Sequence, residues 1–269
     1  MRFLCVLGAV TLVFSASAHA KLNPNEKDAS KILDAAFERD DGDRMVERLK
    51  MTLSDSRGRK RERLLQRRSM KFKGGEKALV IFESPGDLRN TGLLSVRYDK
   101  GNKAPDQWLY LPGLGRSTRI SSRRRSGSFV GSDLSYADMV TPDPDDYNAV
   151  LINGDAKVGG DPCWHIEITP KTKEEKEETG YNKMELWISK KSLLTIRMKG
   201  FMRNGRTKYI SLSKVREVGG VWTAGRIKAR TLRDDKLQSE TTIDQLEVAF
   251  NQASVRESDF TTHRLEKGL

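Results

Sequence analysis

Cysteine and histidine are almost missing from this chain: two cysteines, Cys5 and Cys163, and three histidines among 269 residues. So few ligands exclude the usual Cys/His spacings of a zinc site. Long apolar runs are missing as well. The stretch from Phe3 to Phe14 holds twelve residues without a charge, short of the ~20 that a membrane-spanning helix needs, and no later segment is long enough. Nucleotide and hydrolase signatures are equally scarce. Gly113-Leu-Gly115-Arg-Ser117-Thr118 has no G-K-[ST] ending and no following apolar helix, so it reads as a turn. Gly127-Ser-Phe-Val-Gly131 carries its serine in second place, not at the centre of a nucleophile elbow. Asp143-Pro-Asp145-Asp146 lacks the Gly and terminal Glu of a calcium loop and reads as a proline-stiffened acidic turn.

Arg2, the apolar stretch and the small residues ending Ala18-His19-Ala20 form a secretory signal with cleavage expected after Ala20. Removing residues 1–20 takes Cys5 away and leaves Cys163 alone, so no intramolecular disulfide can form and the core must hold the fold. Arg2 is the one charged residue in that segment, so the net charge of +12 falls to +11. Export to the periplasm makes nucleic acid an unsuitable partner for this positive balance. Hydrophobic residues at 36% and scattered apolar positions separate the chain from disorder. Residues 21–269 read as a single domain.

Ala29, Ile32, Leu33, Ala36 and Phe37 recur at three- and four-residue spacing, predicting an amphipathic helix over Asn25 to Asp40 that ends at Asp41-Gly42-Asp43. Beyond it the periodicity changes to two. Strand-length segments follow at Val46 to Leu53, Glu62 to Phe72, Ala78 to Glu83, Gly92 to Tyr98 and Gln107 to Leu111. In the second half they follow at Asn148 to Leu151, Trp164 to Thr169, Lys183 to Ser189, Leu193 to Phe201, Lys208 to Val218, Trp222 to Thr231 and Leu237 to Phe250. Turn signals separate these segments: Asn153-Gly154, Gly159-Gly160, Asn204-Gly205, Gly219-Gly220 and Asp234-Asp235. The fold class is therefore mainly β, an antiparallel meander of about eleven strands curled into an unclosed barrel under the N-terminal helix. Lys171 to Thr179 reads as a solvated loop or short helix.

The segment Trp108-Leu-Tyr110-Leu111-Pro112, then Arg119-Ile120, then Phe129-Val-Gly131-Ser132-Asp133-Leu-Ser135-Tyr136-Ala-Asp138 resembles the exported outer membrane lipoprotein-sorting proteins, relatives of the periplasmic carrier LolA. The resemblance spans about residues 25 to 265. It implies an unclosed β-barrel, helices plugging its inner side, a hydrophobic cavity for acyl chains, and no enzymatic activity or cofactor. It also implies a lipid or lipoprotein cargo and an RND-type inner-membrane exporter as partner. Gly131, Ser132, Asp133, Ser135 and Asp138 are the hallmark residues.

The same residues have a physical reading. Ser132 or Asp133 is placed to cap a short helix, with Leu134, Tyr136 and Met139 on it, either as part of a lid or as a structural corner. Trp108, Tyr110 and Phe129 either pack under that corner or line a cavity mouth. Alternation places Met184, Leu186, Ile188, Leu194, Ile196 and Met198 on one face, which is a filled core or a ligand cavity. Cys163 and His165 share a strand face, the spacing of a thiol and its base, although no third orienting group is evident. Arg61, Arg63, Arg67 and Arg68, with Arg123, Arg124 and Arg125, form two basic clusters, either solubilising strand positions or a peripheral contact with anionic membrane or an acidic partner. These readings converge on a periplasmic lipid carrier. The alternative is an envelope-stress sensing or interaction module of the same fold that moves no lipid.

Overall fold

The computed structural model describes residues 22–99, 103–203 and 205–268. The expected signal over residues 1–20 and Asn204 of the expected Asn204-Gly205 turn lie outside them. The first helix, α1 (Ala29–Phe37), spans the apolar positions but starts later than the expected Asn25, because the Asp28 carboxylate caps it. That carboxylate accepts from the amides of Ser30 and Lys31 at 3.0 and 3.3 Å, so the backbone before it stays extended. Ala29, Ile32, Leu33 and Ala36 form the buried face.

Two strand series follow. The first comprises β1 (Arg44–Asp55), β2 (Lys60–Phe72), β3 (Gly75–Ser84), β4 (Gly92–Tyr98), β5 (Asp106–Leu111) and β6 (Arg116–Arg119). The second comprises β7 (Tyr147–Val158), β8 (Asp161–Pro170), β9 (Tyr181–Ser189), β10 (Thr195–Met202), β11 (Arg206–Val218), β12 (Val221–Arg233) and β13 (Lys236–Phe250). All thirteen join one antiparallel sheet in the order β6-β5-β4-β3-β2-β1-β13-β12-β11-β10-β9-β8-β7. The chain thus starts at the middle of the sheet, winds out to β6 and crosses to the opposite edge through residues 120–146. It then winds back until β13 pairs with β1. The sheet is not closed; β6 and β7 are its edges.

The expected count of about eleven strands falls short. β6, Arg-Ser-Thr-Arg, has no apolar alternation to betray it. Gly159-Gly160 and Gly219-Gly220 adopt paired positive φ angles, +57° and +88°, then +57° and +85°, as two-residue hairpins require. Asn153-Gly154 does not turn the chain. It lies within β7 at an irregularity where the Asn153 side chain accepts from the amide of Asp155 at 2.8 Å, and the diglycine five residues later closes the hairpin. Lys171 to Thr179 contains α2 (Lys173–Thr179), capped by Thr172 and ended by Gly180 in the left-handed region.

Three apolar clusters fix the layers. On the inner face, α1 covers Trp164, Ile166 and Ile168 of β8 with Met184, Leu186 and Ile188 of β9. The crossover sets Phe129 and Leu134 on Leu65, Val80, Phe82 and Leu93 of β2–β4. On the outer face, a C-terminal helix α3 (Thr262–Lys267), absent from the sequence expectation, buries Leu265 against Leu79, Ile81 and Leu94. Gly92 makes that approach feasible: a β-carbon there would stand 2.6 Å from Leu265 Cδ1 and 2.5 Å from Ile81 Cδ1. No helix among the described residues is long and apolar enough to cross a membrane.

Candidate functional site

The crossover has little regular structure, only short 3-10 turns such as Phe129–Gly131 and Ala137–Met139, so side chains must hold it on the sheet. Asp133, 7% exposed, accepts from the hydroxyls of Thr231, Ser239 and Thr241, the first at 2.6 Å and the last at 2.7 Å. Its own amide donates to Thr241 Oγ1 at 2.9 Å. β12 and β13 therefore grip one end of the strap. Asp138 is gripped further along. Its Oδ1 accepts from the Tyr181 hydroxyl of β9 at 2.8 Å, and its Oδ2 from Lys208 Nζ of β11 at 2.6 Å and the Ser135 amide at 2.7 Å. The Lys208 and Asp138 side chains are 4% and 9% exposed. Burial and the Asp138 carboxylate push the Tyr181 phenol well above its ordinary pKa, so it remains a donor. Gly200 leaves room for that ring: a β-carbon there would sit 2.4 Å from Tyr181 Cε1.

The β2 and β5 strands complete the attachment. Arg63 Nη1 donates to the Val130 carbonyl at 2.6 Å, and Val130 has a φ of +47°, rare for a β-branched residue. Gln107 Nε2 donates to the Tyr136 carbonyl at 2.8 Å.

Between the sheet and its cover lie two hollows. The larger, about 530 Å³, has walls of Phe37, Ile168, Met184, Leu186, Met198 and Ile210 and a mouth between the start of the second strand series, α2 and the end of β4. A smaller hollow of about 370 Å³ includes Leu134, Met139, Leu194, Leu212, Val221 and Ile243. Asp138, Thr141 and Ile210 border both, so the strap at Asp138 partitions the inner face.

The residues singled out in the sequence separate accordingly. Leu186 and Met198 line the larger hollow, and Leu134 and Met139 the smaller. Phe129 is buried against Phe82 and Tyr136, with ring centroids 5.7 and 5.9 Å away. Ile188 is fully buried beneath α1. Ile196 departs from the expected alternation because β10 shifts register between Thr195 and Arg197, which puts it in a separate cluster with Cys163 and Leu194. Trp108 and Tyr110 face away from both hollows, packed beside the α3 cluster on the outer face.

No capped lid helix forms at Ser132 or Asp133: Asp133 and Asp138 form a clasp that holds the crossover on the sheet, and the Ser132 hydroxyl accepts from the Leu134 amide at 3.2 Å. Gly131, at φ +75°, turns the strap between Val130 and Ser132. Ser135 and Asp138 bond reciprocally.

The basic clusters divide too. Arg63 and Arg125 are buried, 7% and 5% exposed, Arg67 donates to Glu47 at 3.1 Å on the inner face, and Arg68 donates to Asp259 at 3.4 Å. These four hold the fold, because their charges face carboxylates or carbonyls inside it. Arg61, Arg123 and Arg124 are exposed. Cys163 is buried, its Sγ donating to the Asp161 carbonyl at 3.2 Å, and burial pushes the thiol up to about 11. His165 contacts Glu185 at 3.2 Å and stacks on Trp187 at 4.1 Å. The thiol stays protonated at neutral pH, and the His165 ring is engaged by Glu185 and Trp187.

A family model described only as an uncharacterized-protein-like group matches residues 74–267. The chain belongs to that family. No curated protein matches the chain. Among solved structures, this chain is similar to an outer membrane lipoprotein-sorting protein domain from Vibrio parahaemolyticus, with 27% identity, a TM-score of 0.79 and coverage of 91% of this chain and 100% of that one. A DUF1329 family protein from Desulfovibrio piger gives 25% identity and a TM-score of 0.79, covering 88% of this chain and 97% of that one. A LolA superfamily protein from Nitrosomonas europaea shares 17% identity and a TM-score of 0.64 over 87% of this chain and 98% of that one, a likeness of fold alone. The fold is LolA-like, an open antiparallel sheet with α1 on its inner face.

Proposed function

We propose that this protein is a periplasmic carrier, not an enzyme, that buries the apolar part of a lipid or lipoprotein in the larger hollow and passes it between envelope components. The observation that carries this reading is the hollow itself: about 530 Å³ with aliphatic and aromatic walls, within the ~300 to 1,000 Å³ of ligand sites. Burial at ~25 cal/mol per Å² makes one acyl chain worth several kcal/mol before ordering costs, enough to hold a cargo and still release it. The mature protein in this reading is one LolA-like domain, residues 21–269, after cleavage behind Ala20. Kinship of fold with lipoprotein-sorting and LolA proteins supports the reading. An RND-type exporter is the proposed inner-membrane partner, and the exposed Arg61, Arg123 and Arg124 suit peripheral contact with anionic lipid.

Native mass spectrometry of protein isolated from its own envelope fraction tests this. Bound lipid at unit stoichiometry, or uptake of a fluorescent fatty acid by the empty protein, is the expected result; an empty protein that takes up none overturns the reading.

A further inference from the structure

Three hairpins finish side by side at one end of the sheet. The strands run β2-β1-β13-β12-β11-β10 and alternate in direction, so the β1–β2, β12–β13 and β10–β11 connections share that end. They carry Arg57, Lys60, Arg61, Arg206, Arg233 and Lys236, all exposed. Nearby Arg59 and Arg203 pair with Asp55 and Glu177, whereas these six have no ion-pair partner among the described residues. The carboxylates at the tips do not offset them. Asp55 and Glu62 are taken by Arg59 and Lys50. Asp234 and Asp235 remain, and turn chemistry accounts for them: their φ angles of +49° and +59° are those that a two-residue hairpin loop demands, and Asp tolerates them.

The crossover adds two further cations. Glu178 of α2 pairs with Arg125, and a β-carbon on Gly180 would stand 3.0 Å from Ser126 Cβ. The strap therefore rests here against the β8–β9 connection, at the same end of the sheet. Arg123 and Arg124 are exposed there, also without ion-pair partners among the described residues. Arg125, the next residue, lines the larger hollow.

An apolar side chain stands among these charges. Leu237, beside Lys236, is 46% exposed, and its neighbour across the hairpin is Leu232. Cations that only keep a sheet soluble can alternate with carboxylates, as Lys183, Arg226 and Lys228 do by pairing with Glu167, Asp244 and Glu240. Unpaired cations around an exposed leucine instead match an anionic bilayer, where each cation adds about fivefold to partitioning and the leucine enters the headgroup layer.

We propose that this end of the sheet docks on the anionic phospholipid surface of an envelope membrane, with Leu237 in the headgroup layer and the larger hollow opening beside it. This rests on the carrier reading and gives it the surface at which cargo is taken up or returned.

Sedimentation of the mature chain with phosphatidylethanolamine vesicles, with and without phosphatidylglycerol, tests the docking. The expected result is partitioning at least about tenfold stronger onto the vesicles that contain phosphatidylglycerol, weakened by high salt. Arg57→Gln, Arg206→Gln and Arg233→Gln together remove one cation from each tip and should weaken that partitioning at least about tenfold. The same loss of charge elsewhere, in Lys27→Gln, Lys157→Gln and Lys214→Gln together, should change it by less than about twofold. Leu237→Gln should weaken it about fivefold. All seven side chains are exposed, so none of these changes disturbs the core. Equal partitioning onto both kinds of vesicle, or a control triple variant as weak as the tip variant, overturns the proposal. Uptake of a fluorescent fatty acid from vesicle-free solution reports on the carrier reading alone, and the tip variant should retain it. Normal uptake without a vesicle preference removes only the docking surface, whereas failure of uptake in the unaltered chain removes the carrier reading.

Discussion

Asp133 receives three hydroxyl hydrogen bonds from two strands more than ninety residues away in sequence. Replacing it by Ala leaves Thr231, Ser239 and Thr241 without their acceptor at a buried site, so Asp133→Ala should cost about 2 to 4 kcal/mol of stability, read as a lowered urea midpoint. Asp146 behaves oppositely. Its folded pKa, about 6, lies above its ordinary 3.8, so its contribution to stability is complete below pH 4 and is lost as pH rises through 6. Asp146→Asn should therefore raise the melting temperature at pH 7.5 and leave it unchanged at pH 4. The gain should stay under about 1 kcal/mol because the side chain is exposed and screened. The hallmark stretch is plain in the sequence, but its role is not, because Asp133 and Asp138 find their partners only across the fold. Lys208 did leave a trace: it occupies the phase of Ile210 and Leu212 in β11, an inner position where a charge requires a partner.

Among the elements, strands announced themselves wherever apolar residues alternate, as in β9, whose pattern is read directly from Met184, Leu186 and Ile188. The short elements did not. α3 has six residues with one apolar side chain, too few for a periodicity, and it exists because Leu265 fills a site prepared by Leu79, Ile81 and Leu94. Leu265→Ala should therefore cost about 2 to 5 kcal/mol and release α3. Hydrogen exchange should show early loss of amide protection at residues 262–268 in that variant, with the inner face of the sheet unaffected. Ile196 carries the complementary lesson: a register shift in β10 moved it out of the alternation that the sequence implied.

At the scale of the whole molecule, the strap joins the two strand series, and the buried Lys208–Asp138 pair with Tyr181 is its far anchor. Removing either charge alone strands the other in the interior, whereas removing both does not. Asp138→Asn and Lys208→Met should each cost about 3 to 5 kcal/mol, and the double variant less than the two costs combined. Denaturant titration of the four proteins as a double-mutant cycle checks this, and additive losses would show that the pair does not act as a unit. In the proposed carrier the same anchor separates the two hollows, so loosening it should also speed exchange of a bound fluorescent lipid.

The sequence by itself determined the mainly β class, the N-terminal amphipathic helix, most of the strands and the diglycine turns, because periodicity and turn chemistry act over two to four residues. It also set the shortage of thiols and imidazoles that leaves the core to hold the fold. Tertiary structure alone decided which arginines are buried, which hallmark residues form the clasp and where the hollow lies. Those properties arise from side chains brought together across the sheet over separations of forty to more than a hundred residues, and no local pattern in the chain encodes such pairings.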